Sequence, residues 1–597
     1  MVDYNTEVPR AQIHGKLRKF DNIITVAKTG YGDYVCTDPT YATDSACIQA
    51  ALDHISSLGG GTLYLQGHFI CPTQLVYTGS DLTIIGDDAN TILDFSSVAT
   101  NISCVYAHGS ISATNSLLTV AGTAGDLTIT VADGTKFAAG DWIRIRSEAI
   151  FQPRPHVTDP WNQKLGEIQQ IKSIAGNVIT LYERLLGSYA LADTATVDKM
   201  NMLENISIKN LRMIGNPAAY QYGINITQAH NISIENVQFQ DMVDRAANVT
   251  DCVGVQYHKN IIKRSNRASL GYGLAILNAC RDINASKNHG YDCRHLITCG
   301  GDHTHGIQYN QVWAENTQSY DSQGSGMFGP HPSADGLTIV NNICNGCSLG
   351  YIASKNTLVA NNNVQNTDVT SPALWVAEAG ENVAIKGNII QGIATAISIR
   401  THFGGMQIDG NKIICTGSAG DAAGIIVLYQ SNKIKISKND ISTLNSPITF
   451  VNTDGYEDST DISIENNTIS WVNNGPGIFI SGTTYNYNKV NISDNILTAS
   501  GSPVGIYVKK VDENNGVNSK ITISNNKCHG GAVGITVKDS DKVSIDNNKI
   551  YDAPTGISIP AAVSKYAMTE NKFYDCTTPI NDIVMAADRI VTNNPSW

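Results

Sequence analysis

A short hydrophobic phrase recurs along most of this chain. From about residue 205 onward, apolar and polar residues alternate over four or five positions, and each run ends in asparagine. A second phrase, glycine followed by alternating apolar residues, comes roughly ten residues later, as at Gly223, Gly477 and Gly556. Alternation with a period of two predicts strands that bury one face. The asparagines that end the clearest copies are Asn210, Asn236, Asn342, Asn388, Asn439, Asn467, Asn495, Asn526 and Asn548.

The phrases return about every 26 residues, with no helical pattern between them. Two or three short strands in such a period make one coil of a right-handed parallel β-helix, a solenoid in which each coil contacts only its neighbours. A propeller blade needs about 40 residues or more, which disfavours that alternative. Asparagine suits the corner because it tolerates left-handed backbone and can hydrogen-bond from coil to coil. We therefore predict an all-β solenoid of about fifteen coils.

The first 200 residues follow a different pattern. Apolar residues at 47, 48, 51 and 52 predict an amphipathic helix with Asp44 as its N-cap, and this helix would cover the open end of the solenoid. Alternating runs between residues 127 and 181 fall outside the repeat and predict a small inserted β subdomain. The predicted division is an N-terminal segment 1–40, capping helix and first coils 41–110, inserted subdomain 111–200, main β-helix 201–580 and C-terminal cap 581–597.

Composition excludes several classes of protein. The 41 basic and 53 acidic residues give a net charge of −12, which disfavours a nucleic-acid partner. No apolar run reaches the roughly 18 residues of a membrane span, and residues 1–7 lack the pattern of a secretory signal peptide. Thirteen scattered cysteines predict buried free thiols, and the single Cys344–Cys347 pair is a weak metal signal. We therefore predict no membrane association, no metal and no cofactor.

The predicted helix followed by the run from Gly59 to Leu65, together with the inserted segment containing Gly140, Gly166 and Gly176, resembles the pectate-lyase-like β-helix superfamily. The similarity is greatest to phage tailspikes and tail-associated polysaccharide depolymerases, and it covers nearly the whole chain. It implies a location in a virion tail or outside the cell, a polysaccharide partner, and a homotrimer by analogy. The superfamily includes hydrolases, lyases, epimerases and non-catalytic binders, so the fold does not fix the chemistry.

The sequence departs from some families of this fold. Gln66 stands where these proteins usually have proline, and the paired aspartates and Gly-His-Gly motif of polygalacturonases are missing. Gly329 occupies the position of an aspartate in the mannuronan epimerase motif. Polygalacturonase and epimerase activities are therefore disfavoured.

Histidine indicates where chemistry is concentrated. Five of the 14 histidines fall between residues 289 and 331. Histidine is the usual base near neutral pH, arginine binds carboxylates with two hydrogen bonds, and a pair of carboxylates can hydrolyse a glycosidic bond. An exposed tryptophan beside a carboxylate is common on sugar-binding faces. The candidate catalytic residues are His331, His295, Glu378 and Asp302. The candidate substrate-binding residues are Arg294, His303, His305, Asp335, Lys355, Trp375, Arg400 and His402.

The repeat also predicts how some of these residues are arranged. Aligning the strands that start at Gly326, Gly350 and Ala373 puts His331, Lys355 and Glu378 at the same position of successive coils. Arg400 or His402 would follow in the next coil. Equivalent positions of stacked coils lie about 4.8 Å apart, so we expect a ladder of titratable groups along one face.

We interpret the chain as a tailspike-like enzyme, a glycosidase or a lyase, that binds and cleaves a cell-surface polysaccharide in a groove of the β-helix. The alternative is a glycan-binding adhesin or structural spike with the same groove and no turnover.

Overall fold

The computed structural model describes residues 22–151, 163–301, 304–315, 326–331, 334–377, 381–402, 404–418, 422–452, 459–473, 475–482, 487–501, 503–511, 520–540, 542–560, 563, 565–582 and 588–595. The chain forms two compact units. The first comprises Met1–Ile150 and Lys164–Ile307, and the second comprises Phe151–Gln163 and Gln308–Trp597. The division therefore falls inside the predicted main β-helix.

Both units are stretches of parallel β-solenoid, with about 18 turns in all. The predicted fold class is confirmed. Each unit contains strands of two kinds of parallel sheet, which we call sheet one and sheet two.

In the first unit, sheet one contains up to two strands of each coil, and sheet two contains at most one. The strands of sheet one are Ile23–Ala27, Tyr34–Val35, Gly61–Gln66, His68–Ile70, Leu82–Gly86, Ile92–Asp94, Leu203–Ile214, Ala229–Gln240, Val253–His258, Ile261–Lys263, Arg281–Ser286 and His289–Tyr291. Those of sheet two are Leu75–Tyr77, Ser103–His108, Tyr222–Thr227, Arg245–Thr250, Tyr272–Leu277 and His295–Gly300.

The second unit repeats this plan. Its strands in sheet one are Trp313–Glu315, Ala334–Asp335, Thr338–Val340, Ile343–Asn345, Lys355–Ala360, Asn363–Gln365, Glu381–Lys386, Ile389–Gly392, Gly404–Asp409, Lys412–Cys415, Ile434–Ser437, Asp440–Thr443, Ser459–Glu465, Thr468–Trp471, Tyr487–Ser493, Ile496–Ala499, Ile521–Ser524, Lys527–His529, Val543–Asp546, Lys549–Tyr551, Lys565–Thr569, Lys572–Tyr574 and Asp588–Thr592. Those in sheet two are Phe328–Pro330, Gly350–Ile352, Leu374–Ala377, Thr395–His402, Ala423–Ser431, Ile448–Asn452, Ile478–Gly482, Val504–Val511, Val533–Ser540, Thr555–Ile559 and Thr578–Asp582. Strand Thr304–Asn310 belongs to sheet one and spans the boundary between the units.

The one α-helix of the described residues is Asp44–Ser57, which buries Cys47, Ile48 and Leu52 as its apolar spacing predicts. The predicted N-cap was wrong by one residue, because the Thr43 hydroxyl accepts a hydrogen bond from the Ala46 amide at 3.1 Å. Asp44 is instead buried, where its carboxylate contacts the Lys28 ammonium at 2.6 Å.

A separate antiparallel sheet of six strands interrupts the solenoid of the first unit. This sheet overlaps the predicted inserted subdomain. Glu183, which follows strand Val178–Leu181, forms an ion pair with Arg281 of the solenoid at 2.7 Å. The six strands are Ser110–Leu117, Thr128–Thr130, Trp142–Ile150, Lys164–Ala175, Val178–Leu181 and Thr196–Asn201. Short 3-10 helices are Asp88–Asn90, Gly134–Lys136 and Leu191–Asp193.

Buried asparagines stack through the second unit as the sequence predicts. The Asn439 side chain donates to Asn467 Oδ1 at 2.9 Å, and Asn467 donates in the same way to Asn495 at 2.9 Å. The left-handed residue is the one before each of these asparagines, such as Lys438 or Asn466, and not the stacked asparagine itself. The ladder therefore supplies hydrogen bonds to a corner whose backbone turn is made by the preceding residue.

All thirteen cysteines are free thiols and twelve of them are buried, which confirms the predicted core role. No helix of the described residues is long and apolar enough to cross a bilayer.

Candidate functional site

Four side chains stack at one position of sheet two in the first unit. Tyr222, Arg245, Tyr272 and His295 pair in register in four successive strands. The Arg245 guanidinium carbon lies 4.6 Å from the ring centre of Tyr222 and 5.8 Å from that of Tyr272. The rings of Tyr272 and His295 are stacked, with centres 6.0 Å apart. We call these four residues the Tyr–Arg–His row. A cation between aromatic faces is held by attraction to both rings.

Two further arginines flank the row. Arg294 donates from Nη1 to the Tyr272 hydroxyl at 3.3 Å, and its guanidinium carbon lies 5.7 Å from the centre of that ring. Arg267 lies over the Tyr220 ring at 3.4 Å. Tyr220 is 45% exposed, whereas Arg294, His295 and Tyr272 are 6–7% exposed. The cluster therefore has an accessible margin at Arg267 and Tyr220 and a shielded interior.

A single buried carboxylate anchors two of the arginines. Asp244 is 2% exposed, accepts a hydrogen bond from Arg267, and lies with Oδ1 3.4 Å from Arg245 Nε. Burial raises the pKa of the Asp244 carboxyl, and Arg245 and Arg267 oppose this rise. Asp244 thus fixes the two guanidinium groups and leaves the cluster of three arginines with an excess of positive charge.

The cluster is suited to holding an anion and moving a proton. Guanidinium groups pair with carboxylates or phosphates through two parallel hydrogen bonds. Burial raises the pKa of the Tyr272 phenol, with Arg294 acting in the opposite direction. The phenol therefore stays protonated at neutral pH, and it donates to the Ser269 carbonyl at 2.8 Å.

The structure places two of the predicted residues, Arg294 and His295, in this cluster. The predicted His305 is half-buried in strand Thr304–Asn310, where its amide donates to the Cys280 carbonyl at 3.0 Å. Asp302 and His303 lie outside the described residues.

A second cluster lies in sheet two of the second unit. Tyr351 and Trp375 pair in register, and their rings meet edge to face with centres 5.2 Å apart. The Arg400 guanidinium carbon lies 4.7 Å from the centre of the Trp375 rings. Arg400 Nε and Trp375 Nε1 are buried and have no hydrogen-bond partner among the described residues. Two predicted substrate-binding residues, Trp375 and Arg400, are therefore in direct contact.

The predicted ladder of His331, Lys355 and Glu378 is wrong. Phe328, and not Gly326, pairs with Gly350, so the residue after each strand is His331 in one coil and Ala353 in the next. Lys355 begins a strand of sheet one, where it pairs with Asp335 and Glu381.

The polar residues of the second unit that were expected in the ladder have other surroundings. Lys355 Nζ lies 3.2 Å from a Glu381 carboxylate oxygen and 5.2 Å from the ring centre of Phe151. His331 directly follows strand Phe328–Pro330 and is half-buried. Glu378 lies outside the described residues, and so does the side chain of His402, which ends strand Thr395–His402.

Sequence reasoning missed Asp244, Arg245, Arg267 and Tyr220. A signal was present, since a tyrosine precedes the glycine of the repeated phrase at both Tyr222 and Tyr272. The intervening coil has Arg245 at the equivalent position but has alanine in place of the glycine. The repeated phrase is therefore incomplete there, and it does not indicate Arg245.

Part of the chain is similar to a curated phage enzyme. Over 246 residues it is 25% identical to the capsule K1-specific depolymerase of Klebsiella phage K64-1. The aligned region is 39% of this chain and 26% of the depolymerase, so the chain spans about a quarter of the length of that relative.

Solved structures show where the fold occurs. The tailspike gp61 of Pseudomonas phage phi297 superposes with a TM-score of 0.58 at 17% identity, over 75% of this chain and 73% of the tailspike. The chain has the β-helix fold of phage tailspikes. The gp54 tailspike of Acinetobacter baumannii bacteriophage AP22, solved with a capsular saccharide, gives a TM-score of 0.47 at 11% identity, over 92% of this chain and 76% of the tailspike.

A family model described as periplasmic copper-binding protein (NosD) matches residues 406–594. The described residues contain no group of three or more His, Cys, Asp or Glu side chains that could hold a metal ion. Within the matched region, burial raises the pKa of the Cys528 thiol to about 12, which disfavours the thiolate that a copper ion needs. These residues do not fit a copper site, and we attribute the match to the repeated strands.

Proposed function

We propose that this protein is a tailspike-type depolymerase that binds and cleaves an acidic cell-surface polysaccharide. The observation that carries the proposal is the Tyr–Arg–His row with its flanking Arg267 and Arg294. The depolymerase name of the Klebsiella phage relative and the tailspike fold support the same function and a place in a virion tail.

Substrate binding would begin at the accessible margin. The exposed Tyr220 ring and the Arg267 guanidinium over it offer a face for a sugar ring and a charge for its carboxylate. Arg245, held between two tyrosine rings, would bind a carboxylate deeper in the cluster. Because Asp244 fixes both arginines, the site is preorganised and little side-chain freedom is lost on binding.

The residues of the row favour β-elimination. Arginines bound to a uronate carboxylate acidify the neighbouring C–H, a base removes that proton, and an acid protonates the departing glycosidic oxygen. The C–H and C–O bonds break while a carbon–carbon double bond forms. In our proposal His295 acts as the base, and Tyr272, kept protonated by its raised pKa, acts as the acid.

Hydrolysis needs two carboxyl groups flanking the bond. In the cluster as described, the one carboxylate is Asp244, which is buried against arginines. A pair formed by Asp335 with Glu378 or Asp302 therefore remains the alternative that our sequence interpretation left open, and His331 remains a predicted catalyst under either reaction.

The test is a product assay. Purified protein is incubated with a panel of acidic capsular polysaccharides and with neutral dextran, and released oligosaccharides are analysed by mass spectrometry and by absorbance near 235 nm. The proposal predicts unsaturated oligosaccharides from at least one acidic polymer. Saturated products would replace elimination with hydrolysis. Binding without any product would support an adhesin instead. Mass photometry of the same sample tests the homotrimer expected from tailspikes.

A further inference from the structure

Lysines occupy one corner of the solenoid in the second unit. Six residues of successive coils pair in register in sheet one: Ile434, Ile462, Val490, Ile521, Val543 and Tyr566. The residue directly before each of them therefore occupies the same position of its coil. Five of the six preceding residues are lysines. We call this set the lysine corner, and its members are Lys433, Asp461, Lys489, Lys520, Lys542 and Lys565.

The backbone at this corner does not favour lysine. Lys433, Lys489 and Lys542 have φ of 54°, 53° and 52°, in the left-handed region that asparagine and glycine prefer. Earlier coils of the same unit have Asn382 and Gly405 at the equivalent position. Strained backbone of this kind is concentrated at functional sites, although Lys438 of the asparagine corner shares it.

Part of the charge of the corner is uncompensated. Lys489 Nζ lies 3.5 Å from an Asp461 carboxylate oxygen. Lys433, Lys520 and Lys542 make no ion pair with any residue in the described part of the chain. In a protein with a net charge of −12, this is a local concentration of positive charge. Five coil spacings of about 4.8 Å spread it over roughly 24 Å.

Two cavities border the lysines. One cavity of about 300 Å³ is lined by Lys433 and Lys435 together with polar side chains that include Asn382 and Gln407. A second cavity of about 430 Å³ begins in the next coil. It is lined by Asp461, Ser463, Glu465, Lys489, Asn491, Lys520 and Thr522, and the Glu465 carboxylate lies 2.7 Å from the Lys435 ammonium. The two cavities offer hydrogen-bonding groups and positive charge over successive strands of sheet one.

We infer that the lysine corner and the two cavities beside it bind an extended polyanion whose charges repeat along the stacking direction of the coils. We identify that polyanion as an acidic polysaccharide, and this identification rests on the proposed function. It assigns the second unit a binding site of its own. None of the residues that form this site is a candidate catalytic residue. A long polymer places several of its charges at the corner at once, so it gains more from this site than a short oligosaccharide does.

The test compares two triple variants. Lys433→Asn, Lys520→Asn and Lys542→Asn remove the charges and introduce a residue that suits left-handed backbone. The control Lys412→Gln, Lys527→Gln and Lys549→Gln removes three charges from another row of the same unit. Binding of long and tetrameric oligogalacturonate is measured by calorimetry at low salt. Three exposed contacts predict a loss of roughly ten-fold for the long polymer in the first variant and less than two-fold in the control.

Equal losses in both variants, or no loss in either, would overturn the inference, as would tighter binding of duplex DNA than of oligogalacturonate. A second measurement does not depend on variants. Lysine acetylation of the wild-type protein, followed by mass spectrometry, should show Lys489, Lys520 and Lys542 protected by the polymer and Lys412 unprotected. These readouts require no cleavage, so a failure of the proposed enzyme activity is seen separately in the product assay.

Discussion

The buried asparagine ladder allows a quantitative prediction at Asn467. Its Oδ1 accepts hydrogen bonds from the Asn439 amide at 3.0 Å and the Asn439 side chain at 2.9 Å. Its Nδ2 donates to the carbonyls of Ile436 and Glu465 and to Asn495 Oδ1, at 3.0, 3.1 and 2.9 Å. Substituting alanine removes all of these and leaves buried donors and acceptors without partners.

Each buried group left unsatisfied costs about 1–3 kcal/mol, so Asn467→Ala should lower the free energy of local opening by about 3–5 kcal/mol. Because each coil contacts only its neighbours, the loss should be confined to the coils around the substitution. At about 1.4 kcal/mol per factor of ten, amide exchange there should accelerate by roughly two to four orders of magnitude.

Hydrogen–deuterium exchange of peptides covering residues 434–443 and 462–471 measures this effect. The matched control is Asn473→Ala, which removes one exposed hydrogen bond of 2.8 Å to Asn445 and should change exchange by less than about ten-fold. Similar exchange in the two variants would refute the view that the ladder, rather than apolar packing alone, holds these coils together.

Three further predictions concern charged residues. The raised pKa of Asp244 means that the stability from this carboxyl is greatest below about pH 4 and falls as the pH rises through the folded-state pKa. Asp244→Asn should therefore flatten that part of the pH–stability profile, and an unchanged slope in denaturant titrations would contradict the raised pKa. Arg400→Lys keeps the charge but loses the planar contact with Trp375, so polysaccharide affinity in calorimetry should lie between those of wild type and Arg400→Ala. Glu381→Gln breaks an exposed ion pair with Lys355 and should shift the unfolding free energy by less than about 1 kcal/mol, while a larger shift would contradict its exposure.

The fold was predictable because a solenoid repeats the same pattern of residues in every coil. Alternating apolar residues and the asparagines of successive coils indicate strands and a corner without any long-range information. The N-cap was displaced by one residue because Thr43 and Asp44 both suit that position. Tertiary contacts decided between them, since the Lys28 ammonium holds Asp44.

The candidate site was only partly predictable. Arg294 and His295 stood out by composition, and the structure places them beside Tyr272. The ladder failed because its register depended on Gly326, whereas pairing begins at Phe328. The pairing register differs by two residues from the predicted one. Lys355 therefore lies beyond the corner that follows strand Gly350–Ile352, in sheet one and not in sheet two. The number of residues in a corner varies from coil to coil. The repeated phrase alone does not reveal this number, so it does not fix the register.

The catalytic role of the Tyr–Arg–His row is tested most directly by the rate at which purified protein cleaves an acidic polysaccharide with and without the side chain of His295. We expect His295→Ala to lower the turnover rate by at least about a hundred-fold. The matched control His68→Ala, at an exposed histidine of the same unit, should leave the rate unchanged. Equal rates for wild type and His295→Ala would contradict the central claim that the Tyr–Arg–His row is the catalytic site.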